Sequence, residues 1–153
     1  MPSVHFLSDH QPLRGEDAVA AIITVEDGRY LMQLRDDISG IFYPGHWGCF
    51  GGAMAQGESG ADALQRELAE ELEMCAQEFR EFVTFGFDLT KLGQKKCCRI
   101  YFEITTTEAE IGRLVLHEGA GLRLFEPAEL FEARLALYDS FALWLHVARH
   151  RLS

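Results

Sequence analysis

Three glutamates, Glu67, Glu70 and Glu71, fall within one five-residue span of the stretch Gly51–Met74, "GGAMAQGESGADALQRELAEELEM". Placed on a helix at about 100° per residue, they share one arc of roughly 100°, with Arg66 at its edge. Glu67 with Glu71 and Glu67 with Glu70 are like-charge neighbours, and each such pair costs about 0.2–0.5 kcal/mol on a bare helix. Negative charge near a helix C-terminus also opposes the macrodipole. A divalent cation would reverse the sign of the arrangement, because carboxylate oxygens are the hard ligands magnesium prefers and substrate phosphates complete such sites. The chemistry on offer is metal-assisted attack on an anionic substrate. The competing reading is a glutamate-rich solvated face, since Glu is a good helix former.

The elements that must position these side chains follow from pattern. "AVAAIITVEDGRYLMQLR" reads as two apolar strands joined by Asp27-Gly28, a hairpin dipeptide. "DDISGIFYPGHWG" is a Gly/Pro-broken loop, and a short strand around Trp47–Phe50 leads into Gly51-Gly52. Ser59 to Leu72 is the clearest helix: Ser59 can cap it, and Asp62 three residues on suggests a capping box. Ala61, Leu64, Leu68 and Leu72 fall in an arc of roughly 80° that is expected to pack on a sheet. "FREFVTFGFDL" and "CCRIYFEITT" predict two strands around "TKLGQKK", and "GLRLF" predicts another. Pro127 can open a helical turn. "DSFALWLHVARH" predicts a closing amphipathic helix whose Phe141, Trp144, Leu145 and Ala148 are expected in the core. Strands and helices mix without regular alternation, which predicts an α/β or α+β layered domain with a mixed sheet.

Bulk properties narrow the function classes. With 153 residues, 48% of them hydrophobic, the chain suits one domain with a real core, taken as residues 17–153 after a polar arm at 1–16. A net charge of −10 argues against a nucleic-acid duplex as partner and means that an anionic substrate needs a cation to draw it in. No apolar run approaches membrane-spanning length, and the first residues lack a signal-peptide core. The four cysteines show no metal or disulfide spacing, so a reduced, cytoplasmic protein is the expectation.

Gly52, Glu58, Arg66, Glu67, Leu68, Glu70, Glu71 and Met74 together resemble the signature of the Nudix hydrolases, Gly-x5-Glu-x7-Arg-Glu-hydrophobic-x-Glu-Glu. A chance match of that specificity is on the order of 10⁻⁵. The order of elements across residues 18–125 is similar too, so the resemblance covers most of the chain. One position departs: Glu73 stands where the family has glycine, at a helix end where a left-handed residue is wanted.

The resemblance implies an α/β/α sandwich with a mixed sheet flanked by helices, and hydrolysis of a nucleoside diphosphate linked to another group, with Mg²⁺ or Mn²⁺ essential. It implies Glu67, Glu70, Glu71 and the Gly52 carbonyl as metal ligands, with Arg66 orienting Glu67. Glu58 is expected to brace the loop before the helix. Glu67 or Glu118, the latter in the Gly-rich loop "LHEGAGLRLF", would be the general base. Arg35, Tyr43 and Trp47 are candidate substrate contacts, Tyr43, His46 and Trp47 as stacking or satellite-core aromatics. His117 beside Glu118 is either a proton shuttle or structural. Subfamily marks past the signature are absent, leaving nucleotide sugars, ADP-ribose and nucleoside triphosphates open, the first two slightly preferred. Two alternatives stand beside this: a nucleotide-binding module without turnover, and an isopentenyl-diphosphate-isomerase-like enzyme using Cys49. Many relatives pair, so a homodimer is also open.

Overall fold

Strand β1 (Ala18–Val25) is apolar except for Thr24, and from Val19 to Ile23 it is buried because both of its faces are covered. Val19, Ala21, Ile23 and Val25 point into one core cluster, and Ala20 and Ile22 into a second on the opposite face. The computed structural model describes residues 16–151. Among them follow β2 (Tyr30–Leu34), β3 (Trp47–Gly48), β4 (Phe50–Ala53), α1 (Gly60–Leu72), β5 (Arg80–Asp88), β6 (Lys96–Thr106), α2 (Glu108–Ile111), β7 (Gly121–Phe125), α3 (Pro127–Leu130) and α4 (Leu137–Ala148). Helix α1 supplies Ala63, Leu64, Leu68 and Leu72 to the first cluster, while α3 and α4 supply Leu130, Ala142 and Leu143 to the second. Each of the three α1 leucines is fully buried, and such burial stabilises by about 1.5–3 kcal/mol per side chain. The expected α+β sandwich around a mixed sheet is the observed one.

The seven strands form one sheet in the order β3-β2-β1-β6-β5, with β4 also on β1 and β7 on β2. Only β1 and β6 run parallel; the other pairs are antiparallel. One edge of β1 is shared. Its residues Ala18–Ala21 pair with β4, and Ile23 and Thr24 pair with β2. The two neighbours therefore part at Ile22. Gly51 of β4 reaches the ladder with φ +148°, and a Cβ there would sit 2.1 Å from the Val19 carbonyl oxygen. Only glycine permits that approach.

Several expectations need correction. The strand foreseen at 47–50 is two strands parted at Cys49, whose amide leaves the ladder to donate to Asp139 Oδ2 at 2.9 Å. On α1 it is Ala63 that is buried, while Ala61 is exposed. Ser59 does cap α1 by accepting from the Asp62 amide, but Asp62 takes the Ser59 hydroxyl and does not reach back to the backbone. The longer Glu110 does so at α2, where the box with Thr107 closes on both sides. That four-residue helix carries too little pattern to foresee.

Helix α4 is rotated from its expected face. Phe141 and Trp144 are about half exposed, their rings stacked at 6.2 Å, while Asp139, Ala142, Leu143 and His146 point inward. Two polar side chains claim the inner face because their partners lie there. Asp139 takes Cys49, Tyr101 and Arg99, and His146 takes Tyr30 and Glu103.

Candidate active site

Arg66 is the hub of the acidic end of α1. Its Nε and Nη2 hold both Glu58 carboxylate oxygens at 2.8 and 2.9 Å, Nη1 donates to Glu67 at 2.8 Å and to Glu70 at 3.4 Å, and Nη2 also reaches the Ala53 carbonyl at 3.0 Å. Glu58 accepts from the Ala55 amide as well. The Arg66 guanidinium and that amide hold its carboxyl down at about 2. Its geometry is that of a brace between the loop and α1.

Glu67 lies against Gly52. A Cβ on residue 52 would meet the Glu67 Cδ at 2.6 Å, so a side chain there would displace the Glu67 carboxylate from its present place. Burial pushes the Glu67 carboxyl up; Arg66 opposes this, and the charges of Glu70 and Glu118 add to it. Glu71 is 3% exposed, and Oε2 accepts from the Gly51 amide at 3.3 Å. Burial first, then the charges of Glu118 and Glu67, push it up to about 8, with the Gly51 amide and Arg35 pulling the other way. A carboxylate kept out of water beside two others is an arrangement awaiting positive charge.

Glu118 reaches this cluster from a different part of the chain. The segment before β7 is strapped to the end of α1, Val115 N–H donating to the Leu72 carbonyl at 3.1 Å and His117 N–H to the Glu71 carbonyl at 2.8 Å. Gln33 Nε2 then donates to the Glu118 carbonyl at 2.9 Å. The carboxylates do not yet converge. Among the described residues no three carboxylate, imidazole or thiol groups are gathered closely enough to hold a metal ion, and Glu67 and Glu70 are instead bonded to the Arg66 guanidinium. The donor set nevertheless fits a hard divalent cation: carboxylates that raise one another's pKa, beside the Gly51-Gly52 backbone.

Glu73, the departure from the signature, caps α1 in the left-handed region at φ 52°, ψ 30°. A non-glycine residue there costs about 1 kcal/mol. Its carboxylate sits 2.7 Å from His117 Nε2, but both side chains are about half exposed, where such pairs contribute about 0–1 kcal/mol. Glu73→Gly is therefore expected to hold or raise stability, shifting the thermal midpoint up by as much as about 2–4 °C. A fall of several degrees would show instead that the His117 contact secures the Glu118 loop.

Of the candidate substrate residues, Arg35 follows β2 directly and donates from Nε to the Phe42 carbonyl at 2.7 Å. Its charge is felt by both Glu71 and Tyr138. Tyr43, at φ 49°, meets His46 and Tyr138 edge-on, each at 5.3 Å. Trp47 is directed elsewhere: its indole is edge-on to Phe125 at 4.9 Å and packs against the second core cluster. Cys49 is buried, and burial drives its thiol well up, so it is not poised for proton transfer as the isomerase alternative requires.

Sequence reasoning missed the group behind this aromatic corner. Asp139, 1% exposed, accepts from the Tyr101 hydroxyl at 2.8 Å and Arg99 Nη2 at 3.2 Å, and Arg99 lies over the Tyr138 ring at 4.4 Å. The available signal was a lone arginine inside the apolar strand "CCRIYFEITT" and a lone aspartate inside an apolar helix.

Helix α1 lays Glu67 and Glu71 against a Gly-Gly corner of a helix-flanked mixed sheet, and MutT structures share that fold. The particular family is then plain: the NUDIX domain matches residues 15–145, and the chain belongs to the Nudix family, as a Nudix pyrophosphohydrolase. It is similar to a MutT structure from work on Aliivibrio salmonicida and Vibrio cholerae, at 25% identity over 89% of this chain and 99% of that one, TM-score 0.71. It is also similar to the Escherichia coli ORF135 protein, at 26% identity over 88% and 90%, TM-score 0.67. The NUDIX domain of Shewanella oneidensis NrtR, solved with ADP-ribose, shares the fold at 18% identity over all of both chains, TM-score 0.69. A comparison with curated protein sequences finds no match. No helix among the described residues is long and apolar enough to cross a membrane.

Proposed function

We propose that the protein hydrolyses the pyrophosphate linkage of a nucleoside diphosphate joined to a further group, water attacking phosphorus. The observation that carries this is Glu71: a buried carboxylate, its pKa raised to about 8 by burial and by Glu118 and Glu67. Glu67, Glu70, Glu71 and the Gly52 carbonyl would hold Mg²⁺ or Mn²⁺. When bound, such an ion offsets pyrophosphate charge and lowers the pKa of a coordinated water.

The chain's own residues do the rest. Arg66 fixes Glu67 through a charge-assisted bond and is itself fixed by Glu58. The strapped loop brings Glu118 to the same carboxylates, so Glu67 and Glu118 are the two candidates for the base that takes the proton from water. Arg35, whose charge is felt at Glu71, offers a cation to an anionic substrate, and the Tyr43–Tyr138 corner offers aromatic edges to a nucleoside. ADP-ribose and nucleotide sugars are the favoured substrates; the shared fold with a domain solved with ADP-ribose supports this order. The four free cysteines suit a reducing, cytoplasmic setting.

The test is a panel of ADP-ribose, nucleotide sugars and nucleoside triphosphates with Mg²⁺ and with Mn²⁺, products read by chromatography. Metal-dependent release of a nucleoside monophosphate from the first two classes is expected. Nucleotide binding without turnover across the panel would favour the binding module. For the base, the pH–rate profiles of Glu67→Gln and Glu118→Gln are compared, and the variant that loses the acidic limb carries the base.

A further inference from the structure

At the other end of the sheet lies a cavity of about 450 Å³, bounded by Thr24, Arg80, Glu103, Thr105, His146 and Arg149. Thr24 is five residues along β1 from Val19, the strand partner of Gly52, which is roughly 16 Å at strand rise. The cavity is thus separate from the carboxylate cluster. Its walls are fixed by hydrogen bonds. His146 Nδ1 faces the Tyr30 hydroxyl at 2.7 Å and Arg149 Nη1 at 3.2 Å, and Nε2 faces Glu103 at 2.8 Å. An arginine can only donate, so Nδ1 is the acceptor and Nε2 carries the proton toward Glu103. The ring is neutral and pinned at both nitrogens, in keeping with burial lowering its pKa.

Of the two arginines and two glutamates on the wall, only Arg80 and Glu103 are ion-paired. Arg80 and the His146 N–H are both committed to Glu103. Arg149 instead donates to two neutral acceptors, the His146 carbonyl and ring nitrogen, so it is held in place without being neutralised by them. Glu78 is the other acid on the wall. Thr24 and Thr105, on the same wall, are paired neighbours on parallel β1 and β6, which sets two hydroxyls side by side. A positioned guanidinium, a second arginine and paired hydroxyls suit the oxygens of a phosphate or carboxylate.

We propose that this cavity is a second ligand site, taking a small molecule through a phosphate or carboxylate group, with Arg149 as the principal cation and Arg80, Thr24 and Thr105 as supports. The proposal is independent of the hydrolase reading and is tested without metal or turnover. In metal-free, isotope-labelled protein at constant ionic strength, inorganic phosphate and citrate are titrated separately by NMR. Saturable shifts are expected at Thr24, Glu103, Thr105 and the Arg149 Nε–H with at least one anion, while Gly51 and Gly52 stay still. Which anion acts tells phosphate from carboxylate. Arg149→Gln should weaken binding at least about tenfold, the loss of one charge-assisted bond pair. Arg80→Gln, at an exposed side chain, and Thr105→Val should each weaken it about threefold and serve where Arg149→Gln does not fold. Shifts confined to Gly51 and Gly52, no saturation with either anion, or unchanged affinity in the folded variants would overturn the proposal.

Discussion

Glu71→Gln is expected to lower metal-dependent turnover by about 10³-fold, since several kcal/mol of transition-state charge stabilisation run through the ion it would help hold. The amide keeps an oxygen for the Gly51 N–H, so the fold should survive. Stability supplies a second and sharper readout. In the metal-free protein the folded-state value of Glu71 is about 8 against an ordinary 4.5. Between those values the folded chain binds more protons than the unfolded one, so stability falls as pH rises from 4.5 to 8 and levels off above. The loss is on the order of a few kcal/mol. The variant lacks that slope. Without metal it should therefore be the more stable protein at pH 8.5, and the gap should close toward pH 5. Added Mg²⁺ should raise the thermal midpoint of the parent chain, as any ligand bound only by the folded state does, and leave the variant's almost unmoved. Thermal melts across pH with EDTA and with Mg²⁺ decide it. Parallel melts for the two proteins in both conditions would remove Glu71 from the metal site.

What the sequence disclosed and what it hid divide along local and non-local lines. The grouping of Glu67, Glu70 and Glu71 was legible because three- and four-residue spacing on a helix is local geometry. The left-handed end at Glu73 was legible from the glycine that the signature has at that position. Why residue 52 is glycine was not, because the obstacle is a carboxylate fifteen positions later that reaches it only through the β4–α1 packing. Arg66 was expected to orient Glu67, and the structure adds Glu58 and the Ala53 carbonyl to its partners. The aromatic stripe of α4 misled because periodicity counts apolar residues and cannot see that Asp139 and His146 have acceptors and donors waiting on β3–β4, β2 and β6. Trp47 could have stacked on a base or joined the core, and its contact with Phe125 on β7 was beyond any window of sequence.

The buried aspartate behind the site is where the largest stability effect is expected. Asp139 gathers the Cys49 amide, the Tyr101 hydroxyl and Arg99 around one carboxylate, and Gly48 leaves room for it, since a Cβ there would lie 2.8 Å from Oδ2. Asp139→Ala would leave Arg99, mostly buried, without its counter-charge and the Cys49 amide without its acceptor, while the Tyr101 hydroxyl keeps the Tyr138 carbonyl. Breaking such a pair from one side costs about 3–5 kcal/mol. For a domain of this size that is a fall of roughly 6–20 °C in the thermal midpoint. The Cys49 thiol, buried and raised in pKa by burial and by the Asp139 charge, should become accessible to a thiol reagent as the β3–β4 corner loosens. Removing both charges tells the electrostatic cost from lost packing: Asp139→Leu with Arg99→Met should be milder than Asp139→Ala alone, because no ion is then left unpaired. Since the corner carries Gly51-Gly52 on one side and Tyr138 on the other, turnover in the surviving fraction should fall with it. A single variant that melts within a degree of the parent, or a double variant as damaged as the sum of the two single changes, would show that the ion pair is incidental to the corner that holds the site.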